Sequence, residues 1–283
     1  MVDQSYLSIY AKSFNWAGFF LPKQTYLKCS ALYDFCRVAD NIADSNEAIE
    51  IKKIKFLDFQ NNFNNQKDDD PIIKNMWQLI EEFNIPIKVV QDLLDGINSD
   101  IQENIKIHKK KDLLIYSYRV AGTVGLMMAK ILRVSKKNSL KSAIDLGIAM
   151  QLTNISRDVV EDLNYGRSYI DLNFEQIRST IKLSENYYEN SFYSIKEIPF
   201  AFRFAILVAR RVYRKIGYKI LNKQNLENYK KSGKIYVSNI EKIIETLLSI
   251  FDLIKLSLIS KDDDNIKHDH DIINEVIYLN ERI

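Results

Sequence analysis

The chain has 283 residues, 46% of them hydrophobic and 27% charged, with a formal net charge of +3. This is the profile of a soluble globular protein able to bury a sizeable core, and the length allows one large domain or two ordinary ones. The small net charge is neutral on nucleic acid, but basic residues are scattered rather than gathered on one face, so no nucleic-acid partner is expected.

The opening MVDQSYLSIY carries an acid and no early basic cluster, so no secretory signal is expected. Prolines 22, 71, 86 and 199 each stand just ahead of a stretch with helical periodicity. Helices are predicted near 22–44, 49–60, 71–84, 86–104, 111–131, 138–164, 173–195, 199–223 and 235–258. No succession of short alternating segments with Asn-Gly or Asp-Gly turns appears, so no sheet is expected. Cys29 and Cys36 are two helical turns apart, about 10 Å, too far for a disulfide. They read as small core residues in a reducing compartment, and a cytoplasmic protein is expected, since no membrane-spanning segment is read in the sequence. NNFNNQKDDDP (61–71) reads as a loop, and His108-Lys109-Lys110-Lys111 as a solvated one. IETLLSIFDLIKLSLIS (244–260) is interrupted by Asp252 and Lys255, short of the roughly 20 uncharged residues a membrane span needs. KDDDNIKHDHD (261–271) reads as a charged connection to a short C-terminal helix. Its His268-x-His270 pair is taken as part of a solvated acidic linker, because two close ligands alone make no metal cage. With no internal repeat and no domain linker, one all-helical bundle over residues 1–283 is expected.

Two helices carry polar stripes. Gln151, Asn154, Asp158 and Asp162 follow the spacing i, i+3, i+7, i+11 and share one side of a helix whose other side is Leu152, Ile155, Val159 and Leu163. Carboxylates at i, i+4 repel each other by a few tenths of a kcal/mol unless a cation lies between them. About 37 acids in this length give roughly five such pairs by chance, mostly on wet faces, so one pair carries little. Tyr33, Arg37, Asp40 and Asp44 form a second stripe, again D-x-x-x-D with an arginine at hand. Facing one another, four carboxylates would suit a hard cation such as Mg²⁺, and Arg37 and Arg157 would suit diphosphate oxygens. A di-iron carboxylate bundle competes, but that design uses Glu-x-x-His, and no histidine lies near either stripe.

These stripes, together with KSFNWAGFFLP (12–22), YRVAGTVGLMMA (118–129), DLGIAMQLTNISRDVVEDLNYGRSYI (145–170) and ARRVYRKIG (209–217), resemble the squalene/phytoene synthase family, and within it the bacterial phytoene synthases. The likeness runs from about residue 5 to about 245. It implies an all-α class I prenyltransferase (isoprenoid synthase) fold with a central cavity, joining two allylic diphosphates head to head in carotenoid biosynthesis. Two geranylgeranyl diphosphates would pass through a cyclopropylcarbinyl (prephytoene) diphosphate to phytoene, with release of diphosphate. The resemblance assigns metal binding to Asp40, Asp44, Asn154, Asp158 and Asp162, holding Mg²⁺ or Mn²⁺. It places Arg37, Tyr118, Gln151, Asn154, Arg157 and Tyr213 around the diphosphate, with Tyr118 and Tyr213 counted as catalytic. Lys12, Ser13 and Phe14 match a segment that closes over the site. Gly122 and Gly125 either let a prenyl chain pass or allow close helix packing.

Asn41 stands where many relatives have a second acid, and Lys234 aligns with a usual arginine, a point charge in place of a fork. A C15 enzyme making dehydrosqualene or squalene would carry the same stripes. Squalene formation also needs a reductant, and no glycine-rich dinucleotide fingerprint is present, so no nicotinamide cofactor is expected. A terpene cyclase and a non-catalytic helical interaction protein are further readings, the latter disfavoured by two complete acid motifs. A hydrocarbon product would be discharged at a membrane, making peripheral contact a candidate. The 244–260 helix could supply it, although core packing is the preferred role for that helix. Nothing in the sequence specifies an oligomeric state.

Overall fold

Each of the four prolines stands where a helix begins. In the computed structural model, which describes residues 6, 12–258 and 270–283, Pro22, Pro86 and Pro199 are the residues before the first turns of α2, α5 and α10, and Pro71 is the first residue of α4. A fixed φ and a missing N–H cost nothing there, because the first turn's donors have no intrahelical partner. Asp70 completes the α4 start by accepting from the Ile72 amide at 2.8 Å. The helices are α1 (Lys12–Gly18), α2 (Lys23–Ala43), α3 (Ile49–Asn64), α4 (Pro71–Phe83), α5 (Ile87–Asn98), α6 (Lys110–Ser117) and α7 (Thr123–Ile131). There follow α8 (Lys137–Asn164), α9 (Phe174–Phe192), α10 (Phe200–Leu221), α11 (Leu226–Lys231), α12 (Asn239–Leu258) and α13 (Asp271–Asn274). The fold is nearly all α, as expected.

Helix α8 is the axis of the packing. Its Ile144, Ile148, Leu152 and Ile155 are buried, and it meets α7, α9 and α10. The contact of α8 with α7 and with the Tyr118–Gly122 segment before it is backbone on backbone. A Cβ on Gly147 would stand 2.2 Å from the Ala121 carbonyl oxygen, and one on Gly125 would stand 2.2 Å from that of Ala143. Gly125 therefore serves close helix packing. A Cβ on Gly122 would point at Ile144 and Tyr118, 3.1 Å from each. Cys29 and Cys36 are buried and free, and burial pushes the Cys29 thiol up to about 12.

Several expectations are corrected. The predicted 111–131 helix is interrupted by a π-helical segment, Tyr118–Gly122, which shifts the side-chain register between α6 and α7. Predicted helix 86–104 stops at Asn98, where the Ser99 hydroxyl turns back onto the Gly96 carbonyl at 2.5 Å. A two-residue parallel strand pair, β1 (Ile105–Lys106) with β2 (Arg167–Ser168), joins the α5–α6 connection to the turn after α8. The residue before β2, Gly166, has φ +74°, and a Cβ there would meet the Glu103 carbonyl oxygen at 2.8 Å, so the turn requires glycine. Leu163, expected on the apolar side of α8, is exposed.

The C-terminal region departs most from the reading of a solvated linker. Residues 259–269, including His268, lie outside the described residues. His270 is buried, with Nε2 2.6 Å from Asp145 Oδ1. Ile273, Ile277 and Leu279 are buried, and α13 packs on α6. Lys111 of the basic run pairs with Glu275 at 2.5 Å. Arg282 forks onto Asp92 (2.9 and 3.1 Å), whose carboxylate also accepts from the Tyr118 hydroxyl at 3.0 Å. Helix α12 is likewise corrected: most of its large apolar residues face outward instead of into the core.

Gly147→Ala is expected to lower stability by roughly 1–3 kcal/mol, because the helix axes must separate to admit one methyl. Chemical denaturation should show a lower midpoint with an unchanged slope.

Candidate active site

Along α8, Ser139, Ser142, Ala143, Leu146, Gly147, Met150, Gln151, Asn154, Arg157, Asp158 and Asp162 recur every three or four residues and line one cavity of about 1460 Å³. The lower part of this stripe is apolar or small; its upper part, from Gln151 onward, is amide, guanidinium and carboxylate. Helix α2 contributes Tyr33, Arg37, Asp40 and Asp44 to the same cavity, with Asp44 as the residue that closes its last turn. The two acid motifs, far apart in sequence, thus border one space. Lys12, Ser13 and Phe14 of α1, Tyr213 of α10, and Lys234 also line it. Helix α1 is seated there by the Phe14 ring, 4.8 Å from that of Tyr213, and by Trp16 Nε1 donating to Thr246 Oγ1 at 3.0 Å.

Tyr118 is the sequence-predicted residue that the structure does not bring to this cavity. It is fully buried, and its hydroxyl, within the π segment, donates to Asp92, which Arg282 also holds. Its segment reaches the cavity through Val120 and Ala121 instead.

The acids are held under electrostatic tension. Burial, then the Asp44 charge, pushes the Asp40 carboxyl up to about 7, with Arg37 opposing. Burial, then Asp158, pushes Asp162 up to about 7, with Arg167 opposing. Arginines partly offset this. Arg157 Nε donates to Asp158 Oδ1 at 2.7 Å, its Nη2 meets the other carboxylate oxygen, and Arg167 Nη1 donates to Asp44 Oδ1 at 2.8 Å. Lys234 Nζ sits 2.7 Å from Glu161 and 3.9 Å from Asp158. Burial, then the neighbouring Lys12, lowers the pKa of Lys242, which also lines the cavity.

The expected four-carboxylate cage is not assembled. Among the described residues, no group of three or more His, Cys, Asp or Glu side chains is gathered to hold a metal. The donor set still fits a hard cation: four carboxylates that repel in pairs, and the buried Asn154 Oδ1, which has no donor among the described residues. Such carboxylates, spread along two helices, would suit an ion that keeps water or ligand oxygens in its shell better than one held in an all-protein cage.

The sequence reading quoted Arg167 within a motif but gave it no role, and passed over Asp100. Burial works against the Arg167 charge, but Tyr169, Asp100 and Asp44 outweigh it and hold the guanidinium cationic. Asp100 accepts from the hydroxyls of Tyr116 and Tyr169, each at 2.7 Å. The available signal was the Gly-Arg-x-Tyr run directly after α8, where a glycine turn sends the chain back across the end of the acid stripe. Helix α11 was also missed. From it, the Tyr229 hydroxyl reaches the Arg157 carbonyl at 2.8 Å and braces α8 at the acid motif.

Burial raises the Asp100 carboxyl to about 6. A group that holds its proton more tightly when folded favours the fold at low pH, and that contribution fades as pH rises from about 4 to about 6. Asp100→Asn should remove this slope. Melting temperatures across that window should fall for the parent relative to the variant, and parallel curves would contradict the assignment.

A family model described as squalene/phytoene synthase matches residues 8–172. Phytoene synthase from Rhodobacter capsulatus is 31% identical over 234 residues, covering 74% of this chain and 69% of that protein. The 4,4'-diapophytoene synthase of Staphylococcus haemolyticus is 32% identical over 166 residues, covering 56% of this chain and 58% of that one. Among solved structures, a dehydrosqualene synthase in complex with ligand superposes with a TM-score of 0.70 at 29% identity, covering 89% of this chain and 95% of that chain.

Proposed function

The chain belongs to the squalene/phytoene synthase family, and from that premise we propose that it joins two geranylgeranyl diphosphates head to head to give phytoene. It is a prenyltransferase, and each of the two steps would release one diphosphate and one proton. The depth of the cavity is the observation that carries the choice of substrate. From Asn154, the innermost of the predicted metal ligands, to Ser139 at the far end of the stripe is about 22 Å of helix. The sixteen main-chain carbons of a C20 prenyl group span about 19 Å at roughly 1.3 Å per carbon, and the twelve of a C15 group about 14 Å. A C20 chain fills the apolar stretch with its diphosphate among the charged residues. A C15 chain would leave the deepest turns of α8 uncovered.

Asp40, Asp44, Asn154, Asp158 and Asp162 would hold Mg²⁺ or Mn²⁺, which when bound neutralises diphosphate and stabilises the negative charge that develops as the allylic C–O bond breaks. Arg37, Arg157 and Arg167 offer guanidinium forks to phosphate oxygens, and Lys12, Lys234 and Lys242 offer point charges. Arg157 and Arg167 are already drawn to the acid motifs by Asp158 and Asp44, so an arriving diphosphate meets cations in place. Deeper down, Val124, Met128, Leu146, Ile195 and Ile206 keep water from the carbocations. Phe14 and Tyr213 pack together at the cavity beneath α1, and both are positioned to shield its charged end.

Incubation with geranylgeranyl or farnesyl diphosphate, with and without Mg²⁺, tests the reading by chromatography of the hydrocarbons. A Mg²⁺-dependent C40 product from the C20 substrate is expected. A C30 product alone would favour the second reading, to which the likeness to a dehydrosqualene synthase structure lends support. Asp40→Ala and Asp158→Ala should each abolish turnover while circular dichroism remains that of the parent. Normal activity in either would defeat the two-motif mechanism.

Ala143 lines the cavity about 16 Å along α8 from Asn154. Ala143→Phe should place a ring across the path of a C20 chain and shift the product ratio toward C30 by tenfold or more when both substrates are supplied.

A further inference from the structure

Helix α12 is inside out. Its acids face the protein: Glu245 and Asp252 take Arg211 of α10 at 3.0 and 2.8 Å, and Glu241 takes Lys219 at 2.7 Å. Its apolar stripe faces away. Ile240, Ile243, Leu247, Phe251, Ile254 and Leu258 recur at spacings of three and four and are all exposed, Phe251 at 68% and Leu258 at 80%. Lys255 is the one exposed charged residue on the helix, and its ammonium leans over the Phe192 ring, 5.2 Å from its centroid. A helix normally buries its apolar stripe, so this one has exchanged its core contacts for ion pairs with α10 and holds a continuous apolar strip to the outside.

We propose that this face of α12 seats on a lipid bilayer, lying in the interface plane beside the mouth of the cavity. The helix is 20 residues, about 30 Å, and a stripe about 10 Å wide offers roughly 300 Å². A stable dimer needs roughly 800 Å² from each partner, so a second copy is a poor match for this strip. The adjoining sequence KDDDNIKHDHD (261–271) has Ile266 as its one apolar side chain and is no complement either. A bilayer needs no matching shape, accepts a 30 Å apolar ridge to a depth of about 5–10 Å, and tolerates a single lysine at its phosphate level. Among the described residues no helix is long and apolar enough to cross a membrane, so the contact is in-plane. The strip also begins at the cavity. Tyr236, Val237, Ser238 and Asn239, which lead into it, line the cavity, and the Tyr236 ring is 72% exposed. A prenyl chain would then pass between cavity and lipid along one apolar rim. This last consequence rests on the prenyl-transfer reading; the seating itself does not.

The test is co-sedimentation of the full chain with vesicles of phosphatidylcholine alone and of phosphatidylcholine with phosphatidylglycerol, without substrate. Leu247→Asp combined with Phe251→Asp should cut the bound fraction at least tenfold, with the thermal melt and detergent-assayed activity unchanged. A second variant, Phe251→Trp, should blue-shift its emission on vesicle addition and be quenched by lipids brominated on the acyl chain. No binding by the parent protein, or binding that the double variant leaves intact, would overturn the proposal. So would a concentration-dependent dimer that the same double variant abolishes, since that result gives the face to a second copy. Because binding is read without turnover, its failure is separate from any failure of the proposed reaction.

Discussion

Paired carboxylates one helical turn apart are costly to hold beside an apolar cavity, and much of the structure confines that cost to one end. Burial, and then the charges of Asp44 and Asp158, raise the affinity of Asp40 and Asp162 for protons. The answer is local and cationic. Arg157 lies along its own neighbour Asp158, and Arg167 is carried across to Asp44 by a glycine turn and a two-residue strand pair. Neither pairing cancels the repulsion within its motif, and that local repulsion is the property a bound cation would relieve. Everything below Gln151 on the same face of α8 is free of charge, so one helix sets both the electrostatic and the apolar half of the cavity.

The polar stripes of α2 and α8 were legible in the sequence because helical periodicity alone puts their residues on one side. The four helix starts were legible because proline has few other places to stand. Tyr118 was misread because a π segment rotates the chain there by an amount no regular period anticipates. Arg167 lacked a role because its position depends on pairing with a strand sixty residues earlier, a contact that local spacing does not encode. The α12 stripe was read correctly as amphipathic and wrongly as core. Periodicity identifies an apolar side but not its direction, and the deciding partners are Arg211 and Lys219 on another helix. His270 looked like part of an acidic run, and only Asp145, buried on α8, gives it a place inside.

The glycine contacts between α7 and α8 and the acid motifs belong to the same design. Backbone contact at Gly125 and Gly147 fixes the distance of α8 from α7 and from the segment before it, which line the deep half of the cavity, so its width there is set by main-chain atoms with little freedom to adjust. Charge governs the upper end, where Lys12, Arg37, Arg157, Lys234 and Lys242 converge from separate elements.

Arg282 closes on Asp92 across 190 residues of chain. During synthesis, Asp92 and the Tyr118 segment emerge long before that guanidinium exists. A buried carboxylate without its cation is strongly disfavoured, so the packing of α5 on the Tyr118 segment cannot be completed until residues 270–283 have been made and have docked. That packing is thereby tied to a stretch made some 190 residues later. A chain stalled before it would hold α5 loosely against its neighbours rather than a finished bundle with a tail missing.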